Sequence, residues 1–391
     1  MPKRTVQNID VAGKRALVRV DFNVPTDPST GRITDDSRIR ESLPTIQFLR
    51  EKGATVILCC HIGRPKGRAV ENLRTTTVRN RLAELLAEDV ADLGDPISAP
   101  AAAGQLKARE VALLENIRFD PREETNDDSL AVELAALADL YVNDAFGAAH
   151  RAHASTAGVA NHLPAVAGLL MARELDMLGA GLDSPRRPMV AVIGGAKVAD
   201  KIAVLENLIG KTDSMLIGGG MIAAFAAALG HNPGAALPTR EEVDQAGDLI
   251  NNKLAGVTLP DDVVTAPKFA EDAAATVHRL DSVPGNELIL DIGPVAGTQF
   301  AGRIAQARTV IWNGPMGVCE WGSFAAGTIA VATAVASNAD ATTIVGGGST
   351  AGVVRELSLA ENFTHISTGG GAALEFMEGK TLPGVDALME I

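Results

Sequence analysis

Cysteine is scarce in this sequence, and no long apolar run occurs. The three cysteines, Cys59, Cys60 and Cys319, cannot form a disulfide framework or a four-ligand zinc site. The longest nearly uncharged stretches, Leu163–Ala172 and Gly218–Gly230, are shorter than the roughly 18–20 apolar residues that span a bilayer. The first residues are polar and no apolar run follows them, so we expect no secretory signal. These absences favour a reduced, soluble, cytoplasmic protein.

Positive charge is also in deficit. The chain has 35 lysines and arginines against 48 aspartates and glutamates, a formal net charge of −13. This balance argues against non-specific binding to nucleic acid or to an anionic membrane surface. Most of the arginines nevertheless lie in the first half of the chain. They are consistent with binding of a small polyanion and equally with surface ion pairs, and composition leaves both interpretations open.

Length and composition predict a globular protein of more than one domain. Apolar residues make up 46% and charged residues 21% of the chain, which is usual for globular proteins. The 391 residues exceed the about 250–300 that one compact core accommodates. Short apolar runs recur, with helix-like stretches such as Arg79–Ala87 and Ala199–Ile209 between most of them. The predicted strands are Ala16–Val20, Thr55–Cys60, Val111–Leu114 and Leu140–Val142 in the first half, and Met189–Ile193, Ser214–Ile217, Leu288–Leu290, Thr309–Trp312, Thr342–Val345 and His365–Ser367 in the second.

Because these runs are continuously apolar, the strands are expected to be buried on both faces, in parallel sheets covered by helices. The two series predict an α/β fold with two doubly wound, Rossmann-like domains. Their division is expected between Pro164 and Pro188, where Leu169–Leu182 has the pattern of one bridging helix. Ligands of open parallel sheets bind beyond the carboxyl ends of the strands, so the residues that follow the strands are the candidates for function.

Glycine clusters follow predicted strands four times in the second half: Gly194-Gly195, Gly218–Gly220, Gly346–Gly348 and Gly369–Gly371. Glycine after a strand lets the backbone approach a ligand and present free N–H groups to an anion. One cluster is explained by a tight turn alone, but four favour a nucleotide or phosphate site. Neither a P-loop nor a G-x-G-x-x-G fingerprint is present, and the second absence counts against a dehydrogenase.

Two lysines follow the first of these clusters. Lys197 and Lys201 are four residues apart at a predicted helix start, so they are expected to share one helix face. Like charges so placed repel each other unless an anion lies between them, which favours an anion site over a solvated lysine face.

Basic residues recur near strand ends in the first half: Arg38, His61, Arg64, Arg118 and Arg151. Singly, each arginine is most simply a surface ion pair. Together they resemble guanidinium groups arranged to bind phosphate and carboxylate. His150 and His153 could instead ligate a metal with His61, but several arginines around a cation would be unfavourable.

The order of these motifs resembles that of the phosphoglycerate kinase family, from about Thr5 to Met389. The segments that carry the resemblance are Val18–Pro25, His61–Gly67, Leu114–Phe119, Asn143–Gly147, His150–Ser155, Gly194–Lys201, Gly218–Met221, Trp312–Gly317 and Ser367–Ala372. Several motifs in one order are far more specific than a shared fold.

The resemblance implies reversible phosphoryl transfer between 1,3-bisphosphoglycerate and ADP, giving 3-phosphoglycerate and ATP with Mg²⁺, in glycolysis and gluconeogenesis. It implies a triose-acid domain over residues 1–168 plus about 379–391, a hinge helix over 169–183 and a nucleotide domain over 184–378, which close on each other. It also implies a cytoplasmic monomer. The triose-acid residues would be Asp21, Phe22, Asn23, Arg38, His61, Ile62, Gly63, Arg64, Arg118 and Arg151. The nucleotide residues would be Lys197, Lys201, Gly219, Asn313, Glu320, Gly347, Gly348, Ser349 and Thr350. Arg38, Lys197, Gly370 and Gly371 would act on the transferring group.

One departure from the family pattern concerns Ser349, which stands where the family usually has Asp. A neutral hydroxyl is a poorer partner for Mg²⁺ than a carboxylate. We therefore expect an active enzyme that needs more free Mg²⁺, with Mg²⁺ held mainly by the nucleotide phosphates. A catalytically weakened, binding-only relative is the alternative. A two-domain dehydrogenase is the third interpretation.

Overall fold

The computed structural model describes residues 2–254 and 256–391. The chain forms two compact units: unit 1 comprises Met1–Asp176 and Thr381–Ile391, and unit 2 comprises Met177–Lys380. Each unit contains a six-stranded parallel sheet with helices, so the predicted α/β class is confirmed.

The sheet of unit 1 has the strand order β3-β4-β2-β1-β5-β6. Its strands are β1 (Arg15–Arg19), β2 (Thr55–Cys59), β3 (Val90–Gly94), β4 (Val111–Leu114), β5 (Leu140–Asn143) and β6 (Ala165–Ala167). Val18 of β1 lies opposite Leu58 of β2 and Val142 of β5, and the central strands are almost wholly buried. The sequence reading missed β3, which has exposed residues in its middle, and the three-residue β6.

The helices of unit 1 include α1 (Ser37–Glu51), α2 (Thr76–Leu86), α3 (Ala99–Ala103) and α4 (Asp128–Ala135). Helix α5 (Leu169–Asp183) begins in unit 1 and ends in unit 2, and it is the bridging helix that the sequence predicts. Asp144 caps its first turn, because Oδ1 accepts hydrogen bonds from the N–H groups of Leu170 (2.9 Å) and Met171 (3.2 Å).

The parallel sheet of unit 2 has the strand order β15-β14-β13-β7-β8-β9. Its strands are β7 (Met189–Ile193), β8 (Ser214–Ile217), β9 (Val257–Thr258), β13 (Thr309–Asn313), β14 (Thr342–Gly346) and β15 (His365–Ile366). Its helices are α6 (Ile202–Leu208), α7 (Ile222–Ala228), α8 (Arg240–Asn251), α9 (Pro294–Gln306), α10 (Ala326–Ser337), α11 (Gly348–Glu356) and α12 (Gly371–Met377).

Unit 2 also contains a small antiparallel sheet, with the order β11-β10-β12. Its strands are β10 (Asp262–Ala266), β11 (Thr276–Arg279) and β12 (Leu288–Ile292). The prediction that Leu288–Leu290 belongs to the parallel series is therefore wrong. A short apolar run looks the same in either kind of sheet, and β12 instead pairs with β10, where Leu290 packs with Val264 and Phe324.

The C-terminal segment returns to unit 1, as the family resemblance implies. It contains the short helix α13 (Pro383–Asp386). The side-chain amide of Asn143 donates to the carbonyl oxygen of Gly384 at 2.9 Å, and the N–H of Gly384 donates to Ala149 O at 2.8 Å. A Cβ atom at position 384 would lie 3.0 Å from the Cα of Ala149, so only glycine fits without displacement.

Among the described residues, no helix has both the length and the apolar character needed to cross a membrane.

Candidate active site

Polar residues follow three neighbouring strands of unit 1 at one edge of the sheet. Asp21 comes shortly after β1, His61 after β2 and Asn116 after β4. All three side chains are buried. Because β4, β2 and β1 are adjacent and parallel, their carboxyl ends meet at this edge, where ligands of open parallel sheets bind.

Arg38 is anchored at this edge by Asp21. Its Nη1 lies 2.7 Å from Asp21 Oδ2, and Arg38 stands in the first turn of α1. The Arg38 side chain is 34% exposed, against 11% for Asp21. The pair therefore combines a fixed carboxylate with a guanidinium group that remains accessible.

The loop after β2 is held by two asparagines. Asn23 Oδ1 accepts the N–H of Gly63 at 2.9 Å. The Asn116 side chain accepts the N–H of Ile62 at 3.2 Å and donates to Ile62 O at 2.8 Å. Gly63 has φ +61°, and a Cβ there would lie 2.9 Å from the Leu73 side chain. The backbone of this loop is thus fixed, and Arg64 at its end is exposed.

Arg118 is almost completely buried, with 3% exposure. Its Nη1 donates to Gly63 O at 2.9 Å, but its buried Nε makes no hydrogen bond and lies 3.3 Å from Glu124 Oε1. Burial, and then the positive charges of Arg19 and Arg151, lower the pKa of Arg118 to about 10. A buried cation with an unsatisfied donor is unfavourable alone and is suited to bind an anion.

Sequence reasoning missed a buried network behind His61. Arg19, fully buried at the end of β1, donates from Nη2 to His61 Nδ1 at 3.0 Å and from Nε to Ser155 Oγ at 2.8 Å. The Ser155 hydroxyl in turn donates to Glu123 Oε1 at 2.7 Å. The available signal was Arg19 itself, a charged residue inside an otherwise apolar strand.

The remaining predicted triose-acid residues are placed as follows. Arg151 is partly buried and donates from Nε to His150 Nε2 at 3.0 Å, and its charge acts on the pKa of both Arg118 and His61. Phe22 is completely buried in the hydrophobic core, and Ile62 packs against the same core. Phe22 can therefore reach a ligand only through its backbone, whereas the Ile62 side chain is partly exposed.

Glycine turns follow the strands of unit 2 and pack backbone against backbone. The N–H of Gly194 donates to Asn313 O at 3.0 Å, and that of Gly219 to Met316 O at 2.7 Å. Gly219 has φ +74°, and a Cβ there would lie 2.5 Å from Gly195 O. Side chains are excluded from these turns, which leaves backbone atoms at the carboxyl edge of the sheet.

The two lysines do not share a helix face, contrary to the prediction. Helix α6 begins only at Ile202, so Lys197 lies in the preceding loop and Lys201 is the residue before the helix. Lys197 is exposed. Lys201 donates from Nζ to Asn313 Oδ1, and burial lowers its pKa, although the charge of Asp200 opposes this. The apolar spacing predicted a helix from Ala199, but the loop that follows the glycine turn continues to Lys201.

Helix α11 begins at the turn after β14. Gly347 precedes it with φ +93°, and Gly348 and Ser349 are exposed in its first turn. Thr350 is buried, and its hydroxyl oxygen accepts the N–H of Gly314 at 2.9 Å, which ties this turn to the end of β13. Gly370, with φ +51°, precedes α12, whose first residue is Gly371. Glu320 is exposed in the loop after β13.

Among residues 2–254 and 256–391, no group of three or more His, Cys, Asp or Glu side chains is arranged to hold a metal ion. Ser349, in the first turn of α11, offers an exposed hydroxyl oxygen as a metal ligand.

Two α/β units, one with guanidinium groups and the other with glycine turns at the strand ends, define an enzyme of the phosphotransferase class. The family model for phosphoglycerate kinase matches residues 6–380. The chain belongs to the phosphoglycerate kinase family.

Relatives and solved structures agree with this assignment. The chain is 53% identical over 393 residues to a phosphoglycerate kinase of Herpetosiphon aurantiacus, with 99% of each chain covered. It is 51% identical over 395 residues to that of Moorella thermoacetica, with 100% of each covered. The phosphoglycerate kinase structure from Coxiella burnetii has a TM-score of 0.90 at 40% identity, covering 99% of this chain and 98% of that one. The structure from Pyrococcus horikoshii has a TM-score of 0.83 at 31% identity, with the same coverage. The predicted family and enzyme class are confirmed, and nothing favours the binding-only alternative.

Proposed function

We propose that the chain transfers a phosphoryl group reversibly between 1,3-bisphosphoglycerate and ADP, giving 3-phosphoglycerate and ATP. Unit 1 binds the triose acid and unit 2 binds the nucleotide. The triose-acid assignment rests on Arg118, a buried guanidinium group with an unsatisfied Nε–H. Burial and neighbouring arginines lower its pKa to about 10. A phosphate or carboxylate would accept its unsatisfied Nε–H and add to the negative charge of Glu124, which lies 3.3 Å from that nitrogen.

The triose acid is held by side chains and by fixed backbone. Arg118, Arg151 and Arg64 supply positive charge, and the neutral His61 ring supplies a hydrogen-bond donor. Asn23 contributes by holding the Gly63 backbone in place. Asp21 acts through Arg38, whose position it fixes. Phe22 contributes backbone atoms only, and Ile62 contributes its backbone and a partly exposed side chain.

Phosphoryl transfer depends on positioning and on neutralising the charge of the transferring group. We assign that neutralisation to Arg38 from unit 1 and Lys197 from unit 2, assisted by the N–H groups of Gly370 and Gly371. Preorganised donors of this kind contribute about 3–4 kcal/mol each to transition-state stabilisation in other enzymes.

The nucleotide is bound at the glycine turns of unit 2, by Gly219, Gly347 and Gly348 through the backbone. Lys201 with Asn313, Thr350 and Glu320 complete this set. Mg²⁺ enters with the nucleotide as part of the substrate and neutralises phosphate charge. Because Ser349 offers a hydroxyl and no carboxylate, the nucleotide phosphates are the principal ligands.

Since the two sets of residues belong to different units, the reaction requires the units to close on each other. Closure also excludes water, which would otherwise hydrolyse the acyl phosphate. We place the hinge positions in α5 and around Thr368–Ala373.

We further propose that the protein is a monomer in the cytoplasm and binds neither nucleic acid nor membranes. The free thiols of its three cysteines and its net charge of −13 support this assignment. Light scattering on a sizing column tests the oligomeric state, and a dimer at micromolar concentration would contradict it.

A coupled assay with 3-phosphoglycerate and MgATP tests the activity, and calorimetric titration with 3-phosphoglycerate tests the assignment of Arg118. We expect Arg118→Met to weaken binding by about 10- to 100-fold. Arg122→Met is the matched control, because Arg122 is already paired with Asp120 and Glu133. Equal affinity of both variants would contradict the assignment, and absence of turnover in the unmodified enzyme would contradict the function.

A further inference from the structure

Glu123 is a carboxylate buried behind a site for anions, where its charge would weaken ligand binding unless it had another task. It is completely buried. From this placement we infer that Glu123 is a positioning residue, which acts through Ser155 and Arg19 to fix the protonation pattern of the His61 ring. The inference rests on the proposed function, because His61 is assigned there to the triose acid.

The carboxylate of Glu123 is held by donors on both oxygens. Oε2 accepts the backbone N–H of Ser155 at 2.9 Å, and Oε1 accepts the Ser155 hydroxyl at 2.7 Å. His153 Nδ1 lies 3.6 Å from Oε1. Burial alone would raise the pKa of Glu123, but the nearby His153 ring, the charge of Arg19 and the Ser155 donors lower it overall. Glu123 is therefore ionised and can only accept hydrogen bonds.

The direction of the next hydrogen bonds follows from that ionisation. Since the Ser155 hydroxyl must donate its proton to Glu123, its oxygen is free to accept from Arg19 Nε, at 2.8 Å. Arg19 also donates from Nη1 to Val20 O at 2.6 Å. The buried guanidinium group is thus fixed in orientation, and its charge is balanced through one intervening hydroxyl.

Arg19 in turn decides which nitrogen of His61 carries the proton. Arginine has no acceptor, so His61 Nδ1, 3.0 Å from Arg19 Nη2, must accept. Burial and the neighbouring guanidinium groups, Arg19 first, lower the pKa of His61 well below its ordinary value. The ring is therefore neutral, with its proton on Nε2. Among the described residues Nε2 has no hydrogen-bond partner, so it is available as a donor to a carboxylate or phosphate oxygen.

The chain of hydrogen bonds explains why an acid is present here. Without the negative charge of Glu123, the Ser155 hydroxyl is no longer directed toward an ionised acceptor, and Arg19 loses its buried counterion. The guanidinium group of Arg19 is then less firmly oriented and can turn away from His61 Nδ1, and the ring can exchange its proton between the two nitrogens. A substrate that accepts from Nε2–H would lose this partner for part of the time.

The experiment compares Glu123→Gln with Glu133→Gln. The second substitution makes the same chemical change in α4, where Glu133 pairs with Arg122 outside the site. The ring nitrogens of ¹⁵N-labelled histidine report the proton position by NMR, and the His61 signals are identified by their loss in His61→Gln. Steady-state kinetics give KM for 3-phosphoglycerate and for MgATP separately.

For Glu123→Gln we expect His61 to lose its pure Nε2–H signature and KM for 3-phosphoglycerate to rise by about 10- to 100-fold, the range for hydrogen bonds to charged groups. KM for MgATP should stay within about twofold, because the substituted site lies in the other unit. Glu133→Gln should change neither quantity. Wild-type His61 signals with an unchanged KM for 3-phosphoglycerate in Glu123→Gln would overturn the inference.

If Glu123→Gln does not fold, Ser155→Ala decides the question, because it removes the bridging hydroxyl and leaves both charges in place. The same two changes are expected, and their absence would overturn the inference. Failure of the proposed function would appear differently: the unmodified enzyme would show no turnover with 3-phosphoglycerate. The NMR comparison between the unmodified and substituted proteins would still report on His61.

Discussion

Arg38 and Asp21 form an ion pair with 2.7 Å between Nη1 and Oδ2, which joins the first turn of α1 to the segment after β1. The acid is mostly buried and the base is about one-third exposed. The pair thus positions a cation at the carboxyl edge of the sheet, where the proposed reaction needs it.

Replacing Arg38 should nearly abolish turnover and leave the fold intact. We expect Arg38→Ala to lower kcat by about 10²- to 10³-fold, since one preorganised charge on the transferring group is removed. The protein should still fold, but its melting temperature should fall, because the mostly buried Asp21 carboxylate loses its partner. Arg40→Ala is the control, as Arg40 forms an exposed pair with Asp36 on the same helix. Comparable kcat values for the two variants would refute the role of Arg38.

Lys201 and Lys211 each donate to an asparagine, but we expect only Lys201 to affect nucleotide binding. Lys201 donates to Asn313 at the carboxyl end of β13. Lys211, which follows α6, donates to Asn207 at 3.1 Å. We expect Lys201→Ala to raise KM for MgATP by about tenfold or more, the effect of a lost charged hydrogen bond. Lys211→Ala should leave KM for MgATP unchanged, although Gly210-Lys211-Thr212 resembles the end of a P-loop. The reverse order of effects would move the nucleotide site away from Asn313.

Ser349 should determine how much free Mg²⁺ the enzyme needs. A carboxylate at this exposed position in the first turn of α11 would bind the cation more strongly than a hydroxyl does. We therefore expect Ser349→Asp to reach half-maximal rate at a lower free Mg²⁺ concentration, measured at fixed ATP. Ser349→Asn is the neutral control of similar size and should behave like the unmodified enzyme. An unchanged Mg²⁺ dependence in Ser349→Asp would count against this prediction.

The buried cap of α5 should make unit 1 less stable as the pH rises. Burial raises the pKa of Asp144 to about 6, although the Thr45 hydroxyl and the backbone N–H of Met171 oppose it. The folded state therefore keeps its proton at a pH where the unfolded state has lost it. Between about pH 4 and pH 6 this group lowers the free energy of unfolding, by about 3 kcal/mol in total.

Asp144→Asn should remove that pH dependence, because the amide oxygen can still accept the N–H groups of Leu170 and Met171 and carries no charge. Urea titrations monitored by hydrogen exchange in unit 1 give the free energy of unfolding. This free energy should fall less steeply with rising pH in the variant than in the unmodified protein. Asp139→Asn is a control that should change the pH dependence of stability in the opposite direction, since the backbone N–H of Arg15 lowers the pKa of Asp139. Parallel pH curves for Asp144→Asn and the unmodified protein would show that the cap does not titrate in this range.

The strands and their class could be predicted because continuous apolar runs are visible in the sequence itself. Met189–Ile193 is predicted and observed without change, whereas Leu288–Leu290 is an antiparallel strand. Strand direction depends on the partner, β10, which the sequence reading did not recognise as a strand. The start of α6 was also placed too early, because apolar spacing does not show where a glycine turn ends.

The residues of the candidate site were likewise only partly predictable from the sequence. Asp21 and His61 could be found because they follow predicted strands of one sheet, whose carboxyl ends lie at one edge. Asn313 could be found in the same way in the sheet of unit 2. Glu123 and Ser155 could not, since neither follows a predicted strand. Their importance depends on contacts with Arg19, which is more than one hundred positions distant in the chain.

The return of the C-terminal segment to unit 1 has a consequence for biosynthesis. Unit 2 is one continuous stretch, whereas unit 1 also needs Thr381–Ile391, which includes the Gly384 carbonyl that Asn143 binds. A ribosome therefore releases the whole of unit 2 before the last part of unit 1 has left the exit tunnel. The unit that is translated first is the last to be completed.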